Sequence, residues 1–192
     1  MDGSGASNRA YATAHPGYVE PPSGPWVDRR ATQMQRTPVP IIVRPQSCPT
    51  LPGSFEVKVT VRGEHTGGVL ASIEETLQPG AFITPHTHAN DVWVYVLSGT
   101  VGVLVGDEIG EAGAGEWALK PRNVPHAMWN ASDEPARIVE VLTPAGTERW
   151  FEEIAALDAT DDAGFDEACQ RHGITFDPAS RWTARIRERF GL

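Results

Sequence analysis

A chain of 192 residues, 40% hydrophobic and 21% charged, has room for one domain with a sizeable core and little room for a second. Its net charge of −9 argues against a phosphate-backbone partner, and its longest apolar run, VWVYVL at 92–97, is far short of the roughly 20 residues a membrane helix needs. Cys48 and Cys169 have no zinc-finger or CxxC spacing, and no apolar stretch follows Met1, so the expectation is buried free thiols in a reducing cytoplasm.

Residues 1–52 hold nine of the 16 prolines and show little apolar periodicity. Such a segment buries too little surface to offset its ordering entropy, so it reads as an extended, partly disordered arm. Tyr18, Trp26 and Val27 offer anchors within it, and VPIIVRPQ offers one edge strand confined by Pro38, Pro40 and Pro45. Residues 53–145 then break into short strands separated by turn residues: FEVKVTV, VLASIEETL, FITPHTH, VWVYVLSG, TVGVLVGDE, GEWALKP, HAMWN and ARIVEVLTP. The Gly-rich GTVGVLVGDEIG is explained by hairpin turns. Many short strands without intervening helices predict an all-β sandwich or barrel. VWVYVL is apolar on both faces, which predicts a covered outer face and hence a homodimer.

From 146 to 192 the period changes. Trp150, Phe151, Ile154 and Leu157 recur at helical spacing. DDAGFDEACQRHG starts acidic and ends His-Gly, and Trp182, Ile186 and Phe190 step by four behind Ser180 as a candidate N-cap. These predict two or three helices packed outside the barrel. The basic RWTARIRERF run reads as a solvated helix face.

Of the six histidines, His86 and His88 form an HxH pair, whose side chains share one face of a strand. His126 lies forty residues on, after a proline-rich turn. Imidazoles suit zinc, iron, nickel and copper, and three protein ligands leave positions open for substrate or water. Residues 80–99, GAFITPHTHANDVWVYVLSG, and 115–130, GEWALKPRNVPHAMWN, resemble the two motifs of the cupin superfamily, at that family's typical fifteen-residue interval. Asn123 stands where glycine is usual, and Asn is the next best residue for a positive-φ turn. The tail, with FDEACQRHGITFDP and RERFGL, is similar to those of single-domain bacterial cupins.

The resemblance implies an antiparallel β-barrel of the double-stranded β-helix or jelly-roll type, with C-terminal helices and the N-terminal arm. It also implies a divalent metal (Fe, Zn, Ni or Mn) held by the histidines and an acidic residue. Val92 occupies the position of the family's glutamate, and the nearest carboxylate is Asp91, which strand parity turns away unless a turn or bulge re-aims it. Three arrangements stay open: His86, His88 and His126 alone, the same three with Asp91, and no metal. Parity puts Val92 and Val94 on an inward face, and Met128 and Asn130 on the face of His126, as pocket wall. Core packing for Met128 and turn closure for Asn130 are the alternatives. Trp93, Tyr95 and Trp129 take the opposite parity, as sheet-packing or dimer-contact residues. Glu74 and Glu75, adjacent on a strand, face opposite ways and make a poor carboxylate pair. The expected function is a metal-dependent enzyme on a small organic molecule, a dioxygenase or other oxidoreductase, isomerase or cyclase, with a non-catalytic binding barrel as the alternative.

Overall fold

The computed structural model describes residues 42–52 and 55–192. Tyr18, Trp26, Val27 and most of the N-terminal arm lie outside the described residues. No strand forms over 42–46. Pro45–Ser47 makes a single 3₁₀ turn, and the segment reaches the barrel through one bridge between Leu51 and Val57.

Nine strands follow in succession: β1 (Glu56–Val61), β2 (Ala71–Leu77), β3 (Phe82–Thr87), β4 (Asp91–Ser98), β5 (Thr100–Val105), β6 (Glu108–Gly113), β7 (Trp117–Lys120), β8 (His126–Trp129) and β9 (Ala136–Thr143). A single-turn helix α1 (Gly63–Thr66) connects β1 to β2. After β9 come α2 (Glu148–Ala155), α3 (Asp162–His172), the two-residue β10 (Thr175–Phe176) and α4 (Arg181–Phe190). Two antiparallel five-stranded sheets result, in the orders β1-β2-β9-β4-β7 and β10-β3-β8-β5-β6. This is a jelly-roll barrel, as the strand spacing and motifs predicted. The predicted strand TVGVLVGDE is the first arm of a hairpin; β6, beyond its two-residue Gly106-Asp107 turn, and β10 went unread.

Alternation decides the core. In β4, Val92, Val94 and Val96 are fully buried while Trp93 and Leu97 face outward. With Ile73, Leu77, Ile138 and Leu142 these valines fill the space between the sheets. On the outer face of the second sheet, α4 lays Ile186, Trp182 and Phe190 over Leu104, Ala127 and Trp129. The Ser180 side chain accepts from the Trp182 backbone N–H, as expected of an N-cap. The remaining helices α2 and α3, with β10, build a separate aromatic cluster of Trp150, Phe151, Phe165 and Phe176. This cluster roofs the open end of the barrel.

Cys169 is buried and Cys48 half-exposed; both are free, so the buried-thiol expectation holds for Cys169 only. Among the described residues, no helix is long and apolar enough to cross a membrane.

Candidate metal centre and its cavity

His86 sits near the end of β3, His88 one residue beyond that strand, and His126 opens β8 directly opposite His86 in the ladder. The turn before His126 needs a left-handed residue, and Asn123 takes it with φ of 60°. Its backbone N–H donates to the carbonyl of His88, so the second motif is tied to the first by a 2.8 Å hydrogen bond.

Each imidazole is oriented in the same way. Nδ1 of His86, His88 and His126 lies 2.8 Å from the backbone carbonyl of Thr84, Asn90 and Val124 respectively. A carbonyl only accepts, so each Nδ1 carries the ring proton and each Nε2 presents a lone pair. All three rings offer ligand atoms within 4.8 Å of one another, and the Nε2 atoms of His86 and His126 are 3.1 Å apart. Two lone pairs at that distance repel unless a cation lies between them. An ion about 2.1 Å from each nitrogen spaces neighbouring donors by about 3 Å, so the donor set fits a divalent metal of the size of zinc or iron. Burial, and next the positive charge of Lys120, hold the His86 imidazole down to about 3 and that of His126 lower still. His88 is lowered by the same two causes in the same order. The rings are therefore neutral and free to ligate.

Asp91 is not brought to this group. Its carboxylate accepts from the backbone N–H of Arg122 at 2.9 Å and from its guanidinium at 2.7 and 3.2 Å. Those hydrogen bonds hold it down at about 2, out in solvent. The strand begins at Asp91, so parity applies and no bulge turns the side chain inward.

A cavity of about 490 Å³ opens beside the histidines, with His86 and His88 in its wall. The expected lining residues are not in that wall. Val92, Val94 and Met128 belong to the packed core between the sheets, at 0%, 0% and 1% exposure. Asn130 is fully buried and donates to the carbonyls of Leu77 and Glu134, while its Oδ1 accepts from Ser132, which closes the turn after β8. Parity correctly found the inward face, but the barrel packs solid at that level. The open space lies nearer the helical end, lined by Phe55, Ile83, Leu142, Trp150, Phe151 and Phe176 among others.

Three buried polar residues in the wall were not expected there: Glu75 on β2, read only as half of a poor carboxylate pair, Lys120 on β7 and Glu140 on β9. All are at least 96% buried, and Lys120 Nζ donates to Glu140 Oε1 at 2.5 Å. Glu74 does face away from Glu75, and it pairs with Arg137. The carboxylate that Glu75 approaches is Glu140, from another strand. An inward charged residue within an otherwise alternating strand was the available signal, in IVEVL and in WALK.

Residues 73–142 match the cupin domain family. Over 95 residues the chain is 32% identical to the oxalate decarboxylase OxdC of Bacillus subtilis, spanning 47% of this chain and 24% of that protein. The chain thus spans about a quarter of the length of that curated relative. Among solved structures, a predicted oxalate decarboxylase from Thermotoga maritima superposes with a TM-score of 0.50 at 16% identity, covering 54% of this chain and 99% of that one. The polyketide cyclase RemF of Streptomyces resistomycificus gives a TM-score of 0.48 at 19% identity, with 55% of this chain and 80% of that one covered. At these identities the structural likeness concerns the fold.

Proposed function

We propose, from the match of residues 73–142 to the cupin domain family and from the site beside it, that the chain is a metal-dependent cupin enzyme acting on a small, largely apolar organic molecule. The observation that carries the proposal is the convergence of three neutral, carbonyl-oriented imidazoles at one edge of a roomy cavity. His86, His88 and His126 would hold the ion, and a divalent metal held there would supply Lewis-acid polarisation of a substrate oxygen and, if it were iron, access to dioxygen chemistry of the oxygenase type.

The protein's own groups do the rest. Thr84, Asn90 and Val124 keep the three Nε2 atoms aimed at one point through their carbonyls, the second shell that fixes a histidine ligand's tautomer. The aromatic roof of α2 and α3 excludes water from the reacting end of a bound molecule and orients its flat part. A ligand as small as oxalate leaves most of the cavity unfilled, and the wall carries more carboxyl groups than cations, so a larger and less anionic molecule fits better. The reaction is accordingly an oxidation, isomerisation or cyclisation within a cytoplasmic homodimer.

A second reading, a binding barrel without catalysis, is favoured by one observation: Val92, and no carboxylate, stands where the family places its glutamate, and its register partner on β7 is Lys120. Metal content separates the two. Elemental analysis after supplementation with iron, zinc, nickel and manganese is expected to give about one ion per chain. His126→Ala is expected to lose it with the fold retained. A wild-type protein that stays far below one ion per chain with every metal removes the enzyme reading.

A further inference from the structure

The polar cluster of Glu75, Lys120 and Glu140 has more hydrogen-bonding capacity than the protein uses. Register brings the three together from different strands: Lys120 opposes Val92, Glu140 opposes Val94 and Ile73, and Glu75 follows Ile73 by two residues on the same face. Lys120 and Glu140 neutralise one another through a single hydrogen bond, which leaves the other ammonium N–H groups of Lys120 available. Glu75 is 3% exposed, and its Oε2 has no hydrogen-bond partner. All three line the cavity that also holds His86 and His88.

A second carboxylate cannot be sustained beside Glu140 in a dry wall with one ammonium between them. Burial first, then the charge of Glu140, push the Glu75 carboxyl up to about 8, against a smaller opposing pull from Lys120. At neutral pH the group is an acid with an O–H to donate. Buried donors without acceptors are costly, and native proteins retain them chiefly where a ligand or water completes them. The facing surface is aromatic, from Phe55, Trp150, Phe151 and Phe176.

We propose that Glu75 and Lys120 form a carbonyl-recognition site, donating to the ketone, quinone or enolate oxygen of a flat aromatic ligand held under the α2–α3 roof. The site rests on reading this cavity as the ligand cavity, and it names the ligand's chemical class.

The test uses the full-length chain, chelator-stripped and zinc-loaded in parallel, with 2-acetylnaphthalene as probe and naphthalene as the control that lacks only the acetyl group. Equilibrium dialysis at pH 6.5 is expected to show the ketone bound about tenfold more tightly than the hydrocarbon, the worth of one good hydrogen bond. Glu75→Leu is expected to cut that preference by several-fold, leaving what Lys120 supplies, and Glu75→Gln, whose amide still donates, to keep most of it. If the leucine variant does not fold, pH supplies the same contrast. The wild-type preference is expected to fall as pH rises through 8 and to stay level in Glu75→Gln. The groups lining the same cavity in that experiment are Lys120 from β7, Glu140 from β9, His86 from β3 and His88 just after it, and Asp158, Asp161 and Asp162 at the roof. Equal affinities for the two probes in the wild type, or an undiminished preference in Glu75→Leu, overturns the proposal. Because the stripped protein is titrated as well, failure to bind metal leaves this result standing, and a metal-binding protein without ketone preference overturns this site alone.

Discussion

A single buried carboxyl, Glu75, gives the protein a pH signature of its own. Its folded value of about 8 lies above the 4.5 of the free side chain. Between those two values the folded chain holds a proton that the unfolded chain has released, so stability falls as pH rises. The contribution is complete below about 4.5 and lost above about 8. Thermal melts between pH 5 and 9 are expected to show wild type losing more stability than Glu75→Gln across that window. Parallel curves would mean that Glu75 is already ionised in the folded state. At the same scale, Asp91 and Arg122 show why proximity in sequence misleads. The carboxylate nearest the HxH pair along the chain finds an arginine 31 residues away and stays in solvent.

At the level of strands and helices, the packing of α4 on the second sheet depends on a close approach within that sheet. Trp129, fully buried, lies across Gly102 on the neighbouring strand, and a Cβ at Gly102 would come within 2.1 Å of the indole ring. The indole in turn packs on Phe190 at a centroid distance of 5.0 Å. Gly102→Ala therefore forces Trp129 out of its place and loosens α4. Overpacking of this kind costs about 1–3 kcal/mol, a Tm lower by about 2–12 °C in a chain this long. Differential scanning calorimetry checks it, and an unchanged Tm would show that α4 moves without penalty. Parity alone placed Trp129 outside the barrel. That an outward face could be fully covered followed from the helix, whose own apolar stripe at Trp182, Ile186 and Phe190 was readable.

For the molecule as a whole, the open feature is the outer face of β4 and β7. Trp93 and Trp117 are 45% and 57% exposed, and Leu97 and Leu119 lie beside them, with β7 at the edge of its sheet. Tyr95 stacks on Trp117 and extends the apolar surface. A patch of this kind on a chain of net charge −9 fits a second copy of the same chain better than a charged partner. Light scattering at micromolar concentration is expected to give a dimer and Trp117→Glu a monomer. A monomeric wild type removes the dimer.

What the residue order determined by itself was set by short-range periodicity: eight of the barrel strands from two-residue alternation, the helices from their stripes and caps, and the pairing of His86 with His88 on one face. The spacing of the two motifs extended this to His126, because the turn and strand that carry it are local structures too. Only the tertiary structure decided which inward-facing level of the barrel is packed and which is open, since that depends on where the α2–α3 roof lands. It likewise decided the company of Glu75, Lys120 and Glu140. Side chains from three strands meet in one wall through ladder registers that no single strand encodes. The histidine face was thus local information, and the cavity wall beside it was a product of packing.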